Sequence, residues 1–392
     1  MPSDVLSAWK AKLGKGLRAL EDQHQRRSLA EVHGVNLCSN DYLGLAEHPA
    51  LREAIARAVQ NAARVGGTGS RLLSGHTKGW FDLEEEFARF AGVEAALFFG
   101  SGYAANVGLL SALVGQDDVV YSDALNHASL IDGMRLSGAR KVIYPHLDLN
   151  ALEESLRQDA GTPWRRIIIT ESVFSMDGDI APLKDMATLA EKFGAAMIVD
   201  EAHATGVHGQ SGCGLAAQAE ILPHVLATIH TCGKALGSAG AFVCGPAVLK
   251  DHLLNHARTF IFSTALPPYF AEQIGTALKL AMGMETERHA LLNRARGLIR
   301  ALRDKGFDTA GSASQIVPVI LGKNESTLQA AEHLQREGFA VRAIRPPSVP
   351  AGRARLRLSL TTRIAEEELR QLVKSLVRWR ERQSPRLAMR SA

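Results

Sequence analysis

At 392 residues and 46% hydrophobic content, the chain has material for one large domain and a smaller second one. Its 45 basic and 41 acidic residues leave a net charge of only +4 and are spread along the sequence; that argues against nucleic acid as a partner, because phosphate neutralisation needs a concentrated basic face. The four cysteines, Cys38, Cys213, Cys232 and Cys244, show no CxxC pairing and no histidines at ligand spacing, which argues against a metal site and a disulfide framework and fits a reducing cytoplasm.

Residues 1–30 are amphipathic and charged, with neither the apolar core of a signal peptide nor, further on, a bilayer-length apolar run, so neither secretion nor a membrane is expected. They read as a helix, followed by a short strand at 35–38 and a turn-rich NDYLGL at 40–45. Residues 1–49 thus form an arm. From 50 to 285, short β-rich runs at 95–99, 119–122, 141–144, 166–170, 196–200 and 225–231 alternate with helical stretches such as 183–193. This alternation predicts an α/β domain whose mainly parallel sheet is covered by helices on both faces. A long helical stretch at 269–303 leads into a smaller C-terminal α/β domain over 286–392. Its strands are expected at 316–321 and 354–360, and its helices at 326–337 and 366–382. The tail RQSPRLAMRSA (382–392) is expected to fray.

Open parallel sheets carry ligand sites at the carboxyl ends of their strands, which directs attention to three segments. In FFGSGYAAN, a strand runs into Gly100, Ser101 and Gly102 and then a helix, so glycines and free N–H groups could receive an anion; ordinary strand-to-helix turns look the same. In MIVDEAHATG, Asp200 ends an apolar strand, and a buried carboxylate there calls for a cationic partner unless it merely caps a helix. In TIHTCGKALG, Lys234 follows a strand among Thr231, Gly233 and Gly237. Most lysines are solvated surface charges, but one confined among small residues has a lowered pKa and becomes a nucleophile and base. DEAH at 200–203 also matches the Walker-B sequence of helicases. The GxxxxGK[ST] loop of such proteins is missing, since Thr228 and Ala235 flank the only suitable Gly-Lys pair, which also follows the DEAH.

Seven segments occur together in one order: SNDYLGL (39–45), GTGSRLLSG (67–75), SGYAAN (101–106), NHASL (126–130), ESVFSMDGD (171–179), VDEAHATG (199–206) and TCGKALG (231–237). In that combination, from about 36 to 360, the chain resembles the α-oxoamine synthases. These are fold-type I enzymes dependent on pyridoxal 5′-phosphate (PLP), and they condense an amino acid with an acyl thioester and release CO₂. The resemblance implies a large domain with a seven-stranded-type sheet, a smaller C-terminal domain, and a homodimer with shared active sites. The segment AIRPPSVPAGRARLRLSLT (343–361) is most similar to the members that join L-alanine to a pimeloyl thioester, carried by coenzyme A or acyl carrier protein. The alternative within the family is a glycine-using acetyltransferase.

Carried onto matching positions, the resemblance implies that Lys234 holds PLP as a Schiff base and moves protons at the amino-acid Cα. It implies that Asp200 pairs with the pyridinium nitrogen and that His127 stacks on the ring. His203 and Ser175 are implied near the phenolic oxygen, and Ser101, Gly102, Tyr103 and Thr231 at the phosphate. Ser263 and Thr264 are expected to reach the partner subunit's phosphate, and Asn40, Arg357 and Arg345 to bind substrate. Ordinary structural roles compete with these: a satisfied histidine for His127, a turn residue for Ser175, an exposed strand arginine for Arg357. Strand alternation puts Arg353, Arg355 and Arg357 on one face. Trp80 stands where members often carry histidine, a departure that bears on the acyl channel.

Overall fold

The computed structural model describes residues 2–388. Its centre is a seven-stranded sheet of β2 (Ala95–Phe99), β3 (Asp118–Asp123), β4 (Arg140–Tyr144), β5 (Arg165–Glu171), β6 (Ala195–Asp200), β7 (Val225–Thr231) and β8 (Ala241–Gly245), in the order β2-β8-β7-β6-β5-β3-β4. All neighbours are parallel except β8, which runs against both β2 and β7. The six strand runs expected from the sequence are present within a residue or two. The seventh, implied by the family resemblance but not placed in the sequence, is β8: it follows the glycine-rich stretch after Lys234 and is apolar throughout, buried on both faces, so no alternation marks it.

Side-chain alternation divides the core into two layers. On β5 and β6, Ile168, Met197 and Val199 pack into one apolar cluster, and Ile167, Ile169 and Ile198 into the other, on the opposite face. Each strand is therefore sealed by helices on both sides. Continuing the alternation puts Glu171 and Asp200, which are register partners, on the face covered by the helix Gly102–Leu113.

The C-terminal layer is a three-stranded sheet in the order β11-β12-β9, formed by β9 (Ile316–Gly322), β11 (Ala343–Ile344) and β12 (Ala354–Ser359). Beside it, β1 (Val35–Asn36) of the arm pairs in parallel with β10 (Phe339–Ala340), and Ser359 donates its N–H to the Leu37 carbonyl. The arm is thereby tied to the C-terminal layer, which brings SNDYLGL towards β12. Three expectations change here. The helix at 1–30 ends at Asp22. The single helix at 269–303 is two, Tyr269–Gly283 and Glu285–Asp304, because Met284 leaves the helical region with ψ of 44°. The tail expected to fray is helical through Ala388, in continuation of the helix Glu366–Ala388; residues 389–392 lie outside the described residues.

Candidate active site

The carboxyl ends of β2, β3, β5, β6 and β7 meet around a cavity of about 200 Å³ lined by Gly102, Tyr103, Asn106, His127, Ser129, Glu171, Asp200, Ala202, His203, Ile229, Thr231 and Lys234. Seven of the residues singled out from sequence are among them. β7 delivers Lys234 three residues beyond its end, and the following turn is held by close packing. Gly237, at φ +55°, would place a Cβ 2.5 Å from the Ala46 nitrogen, so only glycine lets this loop pass the arm.

Asp200 is buried at the tip of β6 and accepts from Asn106 Nδ2 at 2.7 Å and from the Ala202 N–H at 2.9 Å. Both donors are neutral, so the carboxylate still lacks the cationic partner that burial demands. Glu171, abreast of it on β5, accepts from the Ser175 N–H at 3.2 Å, while its other oxygen, Oε1, is buried with no partner. Burial, then the neighbouring Asp200 charge, pushes the Glu171 carboxyl well above its ordinary range. Glu201 of the DEAH segment has a structural role: it receives Ser172 Oγ at 2.6 Å and the N–H groups of Leu215 and Ala216.

Lys234 Nζ lies 2.8 Å from His203 Nε2, and His203 Nδ1 lies 2.6 Å from the Tyr42 hydroxyl. Burial lowers the Lys234 pKa to about 8, against the opposing pull of Asp200 and Glu171. Burial, then the positive charges of Lys234 and Arg357, holds His203 far below its ordinary value, so its imidazole is neutral. His127, the N-cap of the helix Ala128–Ser137, is fixed through Nδ1 to Ser129 Oγ at 2.7 Å and leaves its ring exposed to the cavity.

Arg357, buried on β12, donates to the Ser175 carbonyl at 2.5 Å, to Asn40 Oδ1 at 3.0 Å and to Ser359 Oγ at 2.6 Å. One side chain therefore joins the arm, the C-terminal sheet and the turn after β5. Arg355 shares its face and forms a buried pair with Asp177 at 2.6 Å. Arg353 does not: it precedes β12, which begins at Ala354, and pairs instead with Asp308 at 3.5 Å, which corrects the expectation of three strand arginines on one face.

Other expected residues lie around this centre. Ser101 caps the helix Gly102–Leu113 and faces a neighbouring pocket of about 210 Å³, whose walls also include Ser263, Thr264 and Trp80. Trp80 is fully buried and stacks on Phe98 with centroids 4.5 Å apart. Arg345 is not brought to the Lys234 cavity. It lines a separate cleft of about 460 Å³ with Arg26, Arg27 and Arg342, because the segment after β11 turns towards the arm. Asn106, Glu171, Tyr42 and Ser359 belong to the site and were not singled out, although all four stand inside segments that the sequence marked.

PLP, the cofactor that the family resemblance implies, fits this cavity. An uncompensated buried carboxylate suits a protonated ring nitrogen, and a lysine amine is at hand. A space between the helix start and Thr231, which a Cβ on Gly102 would enter to within 3.7 Å of Thr231 Oγ1, suits a phosphate.

The family model "Aminotransferase class I and II" matches residues 32–376. The chain is 47% identical over 369 residues to the 8-amino-7-oxononanoate synthase of Geobacter sulfurreducens, covering 93% of this chain and 94% of that protein. Among solved structures it is similar to SPT with PLP internal aldimine (TM-score 0.83, 30% identity, 88% and 87% of the two chains). It is also similar to the 8-amino-7-oxononanoate synthase of Francisella tularensis (TM-score 0.78, 28% identity, 90% and 99%). The chain belongs to the class I and II aminotransferase family and, within it, to the 8-amino-7-oxononanoate synthases.

Proposed function

We propose that the protein condenses L-alanine with a pimeloyl thioester, releasing CO₂ and the free thiol and yielding 8-amino-7-oxononanoate for biotin synthesis. The carrying observation is a lysine amine 2.8 Å from a neutral buried histidine, in one cavity with a buried carboxylate whose hydrogen-bond donors are both neutral. PLP bound there supplies an electron sink that stabilises negative charge at the alanine Cα. Lys234 holds the cofactor and, as a free amine, takes the Cα proton and later returns one to the product. Asp200 holds the ring nitrogen protonated. His127 covers one ring face; Ser175 and His203 stand towards the phenolic oxygen. Ser101, Gly102, Tyr103 and Thr231 receive the phosphate at a helix start, where free N–H groups favour an anion.

Arg357 and Asn40 bind the alanine carboxylate. Arg345, in its cleft with Arg26 and Arg27, binds the far carboxylate of the pimeloyl chain; burial, then the charge of Arg27, lowers the Arg345 pKa, and an anion would relieve both. Holding the two substrates at fixed positions makes the carbon–carbon bond formation effectively intramolecular.

The active unit is a homodimer in the cytoplasm. Leu72, Leu73 and Phe262 are exposed beside Ser263 and Thr264, an apolar patch suited to a second copy that would receive those two hydroxyls at its phosphate site. The division into an arm (1–49), a large domain (50–285) and a small domain (286–392) is retained as part of this reading.

The test is alanine-dependent CO₂ release with pimeloyl-CoA, pimeloyl-acyl carrier protein and acetyl-CoA. Release with a pimeloyl thioester, absent in Lys234→Ala, supports the reading and identifies the carrier. Release with glycine and acetyl-CoA alone would replace it with the acetyltransferase.

A further inference from the structure

Tyr42 has no part in the scheme above, yet it is fully buried and its hydroxyl sits between two residues of the site, 2.6 Å from His203 Nδ1 and 3.1 Å from Asn40 Oδ1. A phenol has one proton and donates in one direction. Asn40 Oδ1 already accepts from Arg357 Nη1 at 3.0 Å and from Ser359 Oγ at 3.2 Å, which fills its two lone pairs. His203 Nδ1 is nearer. The tyrosine proton therefore goes to Nδ1, and the single proton of the neutral imidazole sits on Nε2, pointing at Lys234 Nζ 2.8 Å away. An N–H facing a lysine nitrogen suits an amine, whose lone pair accepts, and not an ammonium, which has only donors.

We propose that Tyr42 is a positioning residue: by fixing the tautomer of His203, it presents an N–H donor to Lys234 and favours the free amine of that lysine over its ammonium. The proposal rests on Lys234 being the cofactor lysine. It explains why a tyrosine of the N-terminal arm is sealed against the large domain, and why Arg357 and Ser359 converge on Asn40. These two saturate the acceptor that would otherwise draw the tyrosine proton away.

The charges around Lys234 do not perform this task alone. Asp200 and Glu171 at the strand ends favour an ammonium where they are ionised, while Arg357 from β12 and burial disfavour it; His203 meets the amine directly and His127 faces the same cavity. Against the Asp200 carboxylate, a donor aimed at Nζ tips the balance towards the form able to attack a carbonyl carbon or take up a proton.

The experiment uses the cofactor-free protein, so that it reads the lysine rather than turnover. Imidazole ¹⁵N NMR gives the tautomer of His203, and borohydride trapping of added PLP across pH gives the midpoint at which Lys234 becomes reactive. Wild type is expected to carry its His203 proton on Nε2. In Tyr42→Phe the Nδ1–H tautomer appears, and the trapping midpoint rises by about one pH unit, about tenfold less trapping at pH 7. A wild-type His203 protonated on Nδ1 overturns the proposal, and so does an unmoved midpoint in a folded Tyr42→Phe. The wild-type spectrum decides by itself where the variant fails to fold. Trapping undiminished in Lys234→Ala refutes the lysine assignment instead, and leaves the tautomer result standing as the measure of Tyr42.

Discussion

At the residue scale, Asp200 and Glu171 end adjacent strands in register, yet their surroundings divide the work between them. Two hydrogen bonds keep Asp200 ready for a cation, whereas burial of Glu171, then the neighbouring Asp200 charge, favours its protonated form. Asp200→Asn is therefore expected to weaken PLP binding by about 10- to 100-fold, the worth of a charge-assisted hydrogen bond of about 1.5–3 kcal/mol, in an absorbance titration of the cofactor-free protein. Glu171→Gln, which copies a neutral carboxyl, is expected to keep PLP affinity within about threefold. Glu171→Ala, which leaves the Ser175 N–H unpaired in a buried place, is expected to lose about 1–3 kcal/mol in urea denaturation. Equal losses in the two variants would count against a neutral Glu171. The sequence marked Asp200 by its place at the end of an apolar run. It could not mark Glu171, because the pairing of β5 with β6 creates that environment.

At the scale of elements, the turn after β5 is where the layers are joined. Arg355 and Arg357 reach it from β12, and His146, just beyond β4, bridges Asp123 at 2.8 Å and Asp179 at 2.7 Å. Arg355→Met leaves Asp177 buried and unpaired and is expected to cost about 3–5 kcal/mol in urea denaturation. His146 adds a pH dependence. Burial opposes its charge, but the two carboxylates overcome this and raise its pKa from 6.5 to about 10. A raised folded-state value means that the pairing stabilises fully below about 6.5 and is lost as pH rises through about 10. The urea midpoint of wild type should accordingly fall from pH 7 to 10, and that of His146→Gln should fall less; parallel profiles would remove His146 as the cause. Alternation in the sequence predicted a common face for Arg353, Arg355 and Arg357, and it holds for the last two. Arg353 falls outside because β12 begins only at Ala354, a limit set by its pairing with β9 and encoded in no local pattern.

For the whole molecule, no helix among the described residues is long and apolar enough to cross a bilayer, and the proposed dimer places the exposed apolar patch around Phe262 in its seam. Phe262→Glu is expected to shift the mass measured by light scattering from dimer to monomer, and to lower the fraction of PLP retained, since Ser263 and Thr264 would no longer reach a second subunit. A dimer of unchanged mass would refute that interface. Much of the architecture was readable from local signals: apolar runs of strand length separated by helical stretches specify the mainly parallel sheet, and Asp200 and Lys234, at or just past the ends of those runs, mark where the cavity lies. Those signals work because strand ends and glycine-rich turns are set by neighbouring residues. What only the tertiary structure decided is how distant segments meet. β8 carries no alternation because both its faces are buried. Arg345 faces a different cleft from Lys234. The line from Arg357 through Asn40 and Tyr42 to His203 and Lys234 joins residues more than 300 positions apart, and hydrogen bonds between such residues exist only once the arm, the sheet and the C-terminal layer have packed together.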